Sequence, residues 1–390
     1  MPNEHTASPS PSEPVYTISK DRSAAPPRPG TGLCFSGGGY RAMVFHLGAL
    51  IRLNEARILK KLKRISSVSG GSITAGVLGM KWNNLNFVED FATNLQTEVI
   101  APVRKLADKT IDDGAVIGGI LLPGTISERI EKAYDEVLFQ GKTLQDFPSD
   151  NEGPRFVLNS TNVQTGALFR FSKPFMADYL VGMVPTPKVT LAKAVEASSA
   201  FPPVLSPCML SVDPADFIQD ATCRLQREPF TSEIVLSDGG VYDNLGIETV
   251  WKDYQTVLVS DAGGKIQPEE EPKHDWARHA YRVLDIIDNQ VRSLRKRQII
   301  EAFKNPNSGH SGAYWGIRSH VEDYGLKQAF QCDPARILEL AQTPTRLKRL
   351  DPVYQERLIN WGYAICDTAI RSHLVNLQPQ GTLPYPNSGI

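Results

Sequence analysis

The sequence predicts an α/β protein built on a parallel β-sheet with helices on both faces. Near the N-terminus, a short apolar strand, a glycine-rich turn and a helical pattern follow one another twice, over 33–55 and 65–80. This alternation is typical of a parallel sheet whose crossover helices pack on its two faces. Further along, two more apolar strands are each followed closely by an aspartate, and no internal repeat or domain linker interrupts the chain after residue 30.

The individual elements follow from local patterns. Short apolar runs bounded by glycine, aspartate or turn residues predict six strands: Leu33–Phe35, Ile65–Val68, Arg155–Asn159, Ala167–Phe171, Ile234–Leu236 and Val257–Val259. Apolar residues at helical spacing predict seven helices: Tyr40–Glu55, Ser72–Met80, Leu85–Ile100, Thr125–Phe139, Leu191–Ser199, His274–Phe303 and Tyr354–Leu374. Pro102 marks the predicted end of the third helix, and Pro202 and Pro203 that of the fifth.

Composition narrows the class of protein. Of 390 residues, 42 are Lys or Arg and 43 are Asp or Glu, so the net charge is −1 and no basic field favours nucleic acid as a partner. Hydrophobic residues make up 41% of the chain, which excludes a wholly disordered or polytopic membrane chain. Five scattered cysteines, no N-terminal signal pattern and no run of 18 apolar residues predict reduced thiols and a cytoplasmic location.

The domain organisation is predicted to be simple. Residues 1–30 contain seven prolines and few aliphatic residues, so we expect a disordered leader. Residues 31–375 form one folded domain, and residues 376–390 form a flexible tail. Within the domain, the short apolar stretch Ala115–Leu122 is either core or a lipid-access segment.

The first candidate site is the turn Gly37-Gly38-Gly39, followed by Arg41. Three glycines at a helix N-terminus leave N–H groups that favour a negative charge, so the turn suits an oxyanion or a phosphate. A tight strand–helix crossing is the alternative. The turn also matches the dinucleotide fingerprint through Ala42, which leaves a dinucleotide-binding oxidoreductase as an alternative of another class. The acidic residue that this fingerprint needs is missing, because the next strand leads to Ser69.

The second candidate site is the turn around Ser69. A strand leads into Ser67-Val68-Ser69-Gly70-Gly71 and a helix follows, as a nucleophile elbow requires. Ser67 stands where the elbow pattern has a glycine. A serine N-cap of the helix is the alternative.

A serine nucleophile needs a base, and two aspartates are candidates. Asp238 in Asp238-Gly239-Gly240 and Asp261 in Asp261-Ala262-Gly263-Gly264 both follow apolar strands, and spacing alone does not separate them. An ordinary turn is the alternative for either one. No HExxH motif, His pair at i and i+4 or Cys/His cluster occurs, so neither a metal nor another cofactor is predicted. The basic run Arg292–Arg297 is predicted to be a solvated helix face, with a membrane-surface contact as the alternative.

Together, these motifs resemble the patatin-like phospholipase family. The resemblance rests on Gly37–Gly39 with Arg41, the elbow at Ser69 and the Asp238-Gly239-Gly240 motif, in that order, and it extends to Ala197–Pro203. It implies a three-layer α/β/α sandwich and a lipid acyl hydrolase of the phospholipase A or lysophospholipase type. The implied substrate is a membrane phospholipid or another lipid ester, with peripheral membrane contact.

The resemblance also implies roles for the site residues. Ser69 is the nucleophile and Asp238 the base of a Ser–Asp dyad, with Ser67, Gly70 and Gly71 forming the elbow. Backbone N–H groups of Gly37, Gly38 and Gly39 form the oxyanion hole, and Arg41 assists electrostatically. A signal-activated effector that degrades membrane phospholipids in bacterial defence is the alternative within the family. Its regulator, for example a nucleotide, would bind this same domain or an oligomer interface.

Overall fold

The computed structural model describes residues 26–112, 125–374 and 379–390. The apolar stretch Ala115–Leu122 and most of the proline-rich leader therefore lie outside the described residues. None of the helices in the described ranges is long and apolar enough to cross a membrane.

The described residues form twelve strands and ten α-helices, joined by short 3₁₀ and π-helical turns. The strands are β1 Arg28–Phe35, β2 Arg64–Val68, β3 Phe87–Val88, β4 Phe91–Ala92, β5 Arg155–Asn162, β6 Ala167–Phe171, β7 Phe175–Asp178, β8 Gly182–Pro185, β9 Cys208–Ser211, β10 Glu233–Asp238, β11 Tyr254–Asp261 and β12 Ser311–Gly316. The helices are α1 Gly39–Glu55, α2 Gly70–Lys81, α3 Ala101–Ala107, α4 Thr125–Tyr134, α5 Leu191–Ser199, α6 Gly240–Asp243, α7 Glu248–Trp251, α8 Trp276–Lys304, α9 Pro334–Gln342 and α10 Pro352–His373.

Ten of the strands form one mixed sheet in the order β12-β11-β1-β2-β5-β6-β7-β8, with β10 paired to β5 and β9 paired to β10. The five strands from β12 to β5 are parallel, and the strands beyond them are antiparallel. Helical crossovers join the parallel strands, whereas hairpins build the antiparallel extension.

Alternate residues of the parallel strands enter two separate cores, so the sheet is the middle of three layers. One face packs against helices that include α1, α2 and α10, through side chains such as Leu33, Phe35, Leu258 and Trp315. The other face packs against α7 and α8, through Cys34, Val257, Val259 and Tyr314. The α/β/α architecture is thus confirmed.

The edge of β5 next to β2 is shared by two strands. β2 runs parallel to it and pairs Val68 with Asn159, and β10 runs antiparallel to it and pairs Asp238 with Ser160. β6 occupies the other edge over the same residues. The C-terminal ends of β2 and β10 therefore meet, and the turns that follow them lie side by side.

Several sequence predictions need correction. The predicted helix Leu85–Ile100 is wrong, because the chain forms the small hairpin β3–β4 and then a π-helical turn there. Pro102 does not end a helix, because the π-helical turn Gln96–Ile100 runs directly into α3, which contains Pro102 in its first turn. The strands β7, β8, β9 and β12 were not predicted.

The basic run on α8 was predicted to be solvated, and three of its members instead face the protein. Arg292 donates to the Gly264 carbonyl, Arg295 pairs with acidic side chains of α6 and α7, and Lys296 lies over the Tyr314 ring. Arg297 is exposed, as predicted.

Residues 379–390, within the predicted flexible tail, are held against α10. The Asn360 side chain donates to the carbonyls of Tyr385 and Gly389 and accepts from the Tyr385 N–H.

Candidate active site

Ser69 lies at the turn between β2 and α2 in a strained backbone conformation. Its φ is 52° and its ψ −124°, a region that costs a residue with a side chain about 1–3 kcal/mol. The surroundings hold it there, since its N–H donates to both the carbonyl and the hydroxyl of Ser198, each at 3.1 Å. The turn is also tightly packed, because a Cβ on Gly70 would lie 2.0 Å from the Gly39 carbonyl oxygen. This is the geometry of a nucleophile elbow.

Ser67 occupies the elbow position where the pattern has a glycine. Its hydroxyl contacts the Ser72 hydroxyl at 2.9 Å, and the Ser72 hydroxyl contacts that of Ser198 at 2.8 Å. The side chain is thus satisfied inside the protein, and the turn accommodates it without a glycine.

The glycine turn passes next to the elbow. A Cβ on Gly37 would lie 3.0 Å from Ser69 Cβ, and Gly38 and Gly39 have φ of 142° and 58°, which a residue with a side chain rarely adopts. Among the described residues, neither the Gly38 nor the Gly39 N–H donates a hydrogen bond. The Gly37 N–H donates to the Asn244 carbonyl at 3.1 Å, so it is not the free donor that the resemblance implies.

Arg41 lies behind the turn and is buried. Its guanidinium donates to the carbonyls of Ala262 and Thr343 and to the Thr345 hydroxyl. Burial and neighbouring arginines lower its pKa to about 10, so it remains charged near neutral pH. These contacts join the start of α1 to two distant segments of the chain.

Asp238 ends β10 with a buried carboxyl group. Burial raises its pKa to about 7; the Gly240 N–H and the nearby Ser69 hydroxyl lower it, and the Asp288 carboxylate raises it further. Asp238 Oδ1 accepts the Gly240 N–H at 2.7 Å, whereas Oδ2 has no hydrogen-bond partner in the described part of the chain. One carboxylate oxygen beside Ser69 is therefore open to take a proton.

Asp261 lies in a different environment. It accepts hydrogen bonds from the Tyr314 hydroxyl and the Gly263 N–H, and its pKa is lowered because the Arg292 and Lys296 charges and these donors outweigh its burial. Asp238, with its raised pKa and open oxygen, is the one that the fold brings to Ser69.

Histidine and metal ligands play no visible part at this site. Within the described residues, no histidine hydrogen-bonds to Ser69 or Asp238. Over the same ranges, no group of three or more His, Cys, Asp or Glu side chains could hold a metal ion. His46 is buried between Ser260 and the Ser36 carbonyl, and its burial lowers its pKa to about 4.

Three residues of the site were missed at the sequence level. Ser198 accepts from the Ser69 N–H, and the Asn159 side chain donates to the Ser67 carbonyl at 2.9 Å. The Asn244 side-chain oxygen packs closely against both glycine turns. A Cβ on Gly37 would lie 2.3 Å from this oxygen, and a Cβ on Gly240 would lie 2.8 Å from it. Ser198 lies in the Ala197–Pro203 segment of the resemblance, which assigned it no role; Asn159 and Asn244 are brought in by strand pairing and packing.

Residues 33–251, more than half of the chain, match the family model described as patatin-like phospholipase. The chain belongs to the patatin-like phospholipase family. Among solved structures, this patatin-like chain is similar to human GIVD cytosolic phospholipase A2, with a TM-score of 0.50 and 13% identity over 87% of the chain. It covers 58% of that protein, so it spans a little over half of its length.

VipD from Legionella pneumophila also matches, with a TM-score of 0.36 and 16% identity over 90% of this chain and 68% of VipD. Among curated proteins, no sequence matches.

The dinucleotide alternative finds no support at the glycine turn of this patatin-like fold. The Tyr40 N–H at the start of α1 donates to the Arg346 carbonyl, and a Cβ on Gly39 would lie 2.7 Å from that same oxygen. The elbow at Gly70 packs on the other side of the turn. One of the N–H groups at this helix N-terminus that a pyrophosphate would use is thus already taken by protein, whereas, among the described residues, those of Gly38 and Gly39 are not.

Proposed function

We propose that the chain is a lipid acyl hydrolase of the phospholipase A or lysophospholipase type, with Ser69 as nucleophile and Asp238 as base. The observation that carries the proposal is the strained Ser69 next to a buried carboxyl group with one unpartnered oxygen. Membership of the patatin-like phospholipase family supports a lipid ester as substrate.

The reaction follows from these positions. Ser69 Oγ attacks the ester carbonyl while Asp238 Oδ2 accepts the hydroxyl proton, and the carbonyl oxygen becomes an oxyanion. The free N–H groups of Gly38 and Gly39 stabilise this charge, and one such donor contributes about 3 kcal/mol. The tetrahedral intermediate then expels the alcohol, which takes the proton from Asp238. A water molecule then attacks the acyl carbonyl while the same carboxylate takes its proton, and this proton passes to Ser69 Oγ as the fatty acid leaves.

The carboxylate has to do this work without an imidazole. A carboxyl group of ordinary pKa is a weak base, whereas one with a pKa of about 7 is suited to proton transfer near neutral pH. The burial of Asp238 is thus part of the proposed chemistry.

The test combines a covalent probe with two matched pairs of variants. A fluorophosphonate should label Ser69, and Ser69→Ala should abolish both labelling and ester hydrolysis, whereas Ser36→Ala, a serine at the glycine turn, should still be labelled. Asp238→Asn should stop turnover and Asp261→Asn should leave most of it. Activity retained in Ser69→Ala, or the opposite order of the two aspartate variants, would contradict the dyad.

Lipid profiling then determines the subtype. The wild-type protein and Ser69→Ala are incubated with phosphatidylcholine, its lysophospholipid and a triacylglycerol, and the released fatty acids are measured. Release from phospholipid or lysophospholipid by the wild type alone supports the proposal, and release from neither contradicts it.

We also propose that the patatin-like domain contacts a lipid surface through one face of α8. This exposed face is apolar and follows the helical repeat: Trp276, Val283, Leu284, Ile287, Val291 and Leu294. Asp288 on the same helix raises the pKa of Asp238 through its charge, which links this helix to the site. Val241, next to the Asp238 turn, is also exposed, and the exposed Arg278 and Arg297 suit anionic headgroups.

The contact is tested with Leu284→Asp/Ile287→Asp and, as control, Val353→Asp, an exposed apolar position on α10. The double variant should lose cosedimentation with vesicles containing phosphatidylglycerol, while hydrolysis of a short soluble ester persists. Unchanged binding would contradict the proposal. A change from dimer to monomer in sedimentation velocity, without loss of vesicle binding, would show that a second copy covers this face.

A further inference from the structure

Ser198 lies at the end of α5, between the two turns of the site, and is fully buried. Its carbonyl accepts the N–H of Ser69 at 3.1 Å and the N–H of Gly239 at 3.2 Å. One oxygen atom thus holds both the residue proposed as nucleophile and the residue that follows the proposed base. The last carbonyls of a helix have no partner within it, which is why this one is free to accept from both turns.

The Ser198 side chain adds a second set of contacts. Its hydroxyl accepts from the Ser69 N–H at 3.1 Å, donates to the Asn159 carbonyl at 2.6 Å and contacts the Ser72 hydroxyl at 2.8 Å. Asn159 belongs to β5 at the point where the ends of β2 and β10 meet. The hydroxyl therefore ties the elbow to the strand that positions both turns.

We propose that Ser198 is a positioning residue that fixes Ser69 relative to Asp238, and that its hydroxyl is required for this. The inference rests on the proposed function, because it concerns the geometry of the same dyad. Ser198 itself does not touch the reacting atoms. Without its hydroxyl, the Ser69 N–H loses one of two acceptors, and the strained elbow loses part of what holds it.

The neighbouring Ser199 provides a matched control. It is also buried, but among the described residues its hydroxyl contacts only the Val195 and Glu196 carbonyls of its own helix and the Tyr134 hydroxyl. Removing either hydroxyl takes one oxygen atom from the same helix end. Only Ser198→Ala removes a contact to the elbow.

The experiment measures kcat and KM for a short soluble ester, together with the rate of fluorophosphonate labelling. Ser198→Ala should lower kcat and the labelling rate together by about 10- to 100-fold, because a small misplacement of a nucleophile has effects of that size. KM should stay within about twofold, since the interaction acts on the transition state rather than on binding. Ser199→Ala should change none of the three.

The pH profile separates positioning from a loss of stability. The Ser69 hydroxyl lowers the pKa of Asp238, so a displaced Ser69 moves the acid limb of the Ser198→Ala profile to higher pH. The other groups that face Asp238 are the Gly240 N–H, the Asp288 carboxylate and the Tyr134 phenol, and none of them is changed. If Ser198→Ala only lowered the melting temperature, the acid limb of its pH profile would stay at the wild-type pH.

Two results would overturn the inference. The first is that Ser198→Ala has the same kcat and labelling rate as Ser199→Ala, while Ser69→Ala is inactive. In that case the proposed function would stand, but Ser198 would have no positioning role. The proposed function itself fails on a different result, an active Ser69→Ala. If Ser198→Ala does not fold, Ser72→Ala removes the hydroxyl that holds Ser198 from the other side. It should lower kcat at constant KM, and an unchanged kcat would again overturn the inference.

Discussion

Ionising Asp238 inside the folded protein is unfavourable, since its carboxyl group is buried and a second carboxylate, Asp288, lies nearby. Its pKa of about 7 expresses this cost. The same cost makes the carboxylate a usable base, because a base of higher pKa holds the transferred proton more firmly. The residue most useful for the proposed chemistry is therefore one that destabilises the fold.

The pH dependence of activity should report on this residue. As the proposed base, Asp238 accepts a proton only in its ionised form, so kcat/KM should fall as pH drops below about 7. Asp288→Asn removes the like charge and should move this acid limb to lower pH. The measurement is a kcat/KM profile on a soluble ester at low salt, where the charge is least screened. If the acid limb of Asp288→Asn lies at the same pH as that of the wild type, the limb reports the ionisation of a group other than Asp238.

The stability of Asp238→Asn should also depend on pH. The folded-state pKa of about 7 lies above the ordinary value of 3.8, so ionisation destabilises the folded wild type increasingly as pH rises from 3.8 to 7. At pH 8, Asp238→Asn should unfold with a free energy higher by up to about 4 kcal/mol, and this gain should shrink toward pH 4. Urea unfolding at both pH values checks this, and a gain that is larger at pH 4 would contradict it.

At the scale of elements, Arg41 fastens the glycine turn and the start of α1 to two other parts of the chain. Its guanidinium reaches the Ala262 carbonyl after β11 and the Thr343 carbonyl after α9. A Cβ on Gly38 would lie 3.0 Å from the same guanidinium, so it supports the turn from behind. This geometry favours a clamp over the electrostatic helper that the resemblance implies.

Arg41→Lys separates the two roles, because lysine keeps the charge but cannot match the planar fork. For a clamp, the variant should lose at least about 2 kcal/mol of stability, since buried acceptors are left without donors. Its kcat should then fall as far as that of Arg41→Met. Thermal unfolding and kcat check this. Near wild-type kcat in Arg41→Lys with a low kcat in Arg41→Met would instead indicate a role for the charge alone.

Elements whose conformation is specified by neighbouring residues in the sequence could be predicted, and those that depend on distant contacts could not. The elbow and the glycine turn were predictable because glycine and serine spacing alone specifies a strand–turn–helix unit. The helix Leu85–Ile100 was wrong because Glu89 and Asp90 adopt positive φ, which apolar periodicity does not reveal. Ser198 was missed as a site residue because its role arises only where α5 ends against two strands.

At the scale of the whole molecule, the region that defines the family is only part of the folding unit. The family match ends at residue 251, before β11, β12 and α10. β11 pairs with β1 along Arg28–Phe35 and separates it from β12. The strand that leads into the glycine turn thus has one of its two neighbours outside the matched region.

The packing of α10 on α1 also ties the matched region to residues beyond it. A Cβ on Gly48 would lie 1.9 Å from the Ile359 carbonyl oxygen, so the two helices are in backbone contact. The Arg52 guanidinium forms a buried ion pair with Asp367 at 2.7 Å. Both partners are almost fully buried, and a buried charge that loses its partner costs about 3–5 kcal/mol.

A fragment of residues 26–251 should therefore not fold, although it contains Ser69, Asp238 and the whole family match. It leaves Arg52 without Asp367 and exposes the apolar side of α1 and one edge of β1. Circular dichroism should show no cooperative thermal transition in the fragment, and the fluorophosphonate should not label it, while the full chain shows both. A cooperative transition together with a labelled Ser69 in the fragment would mean that the site needs only the matched region. The C-terminal helices would then support the domain without completing it.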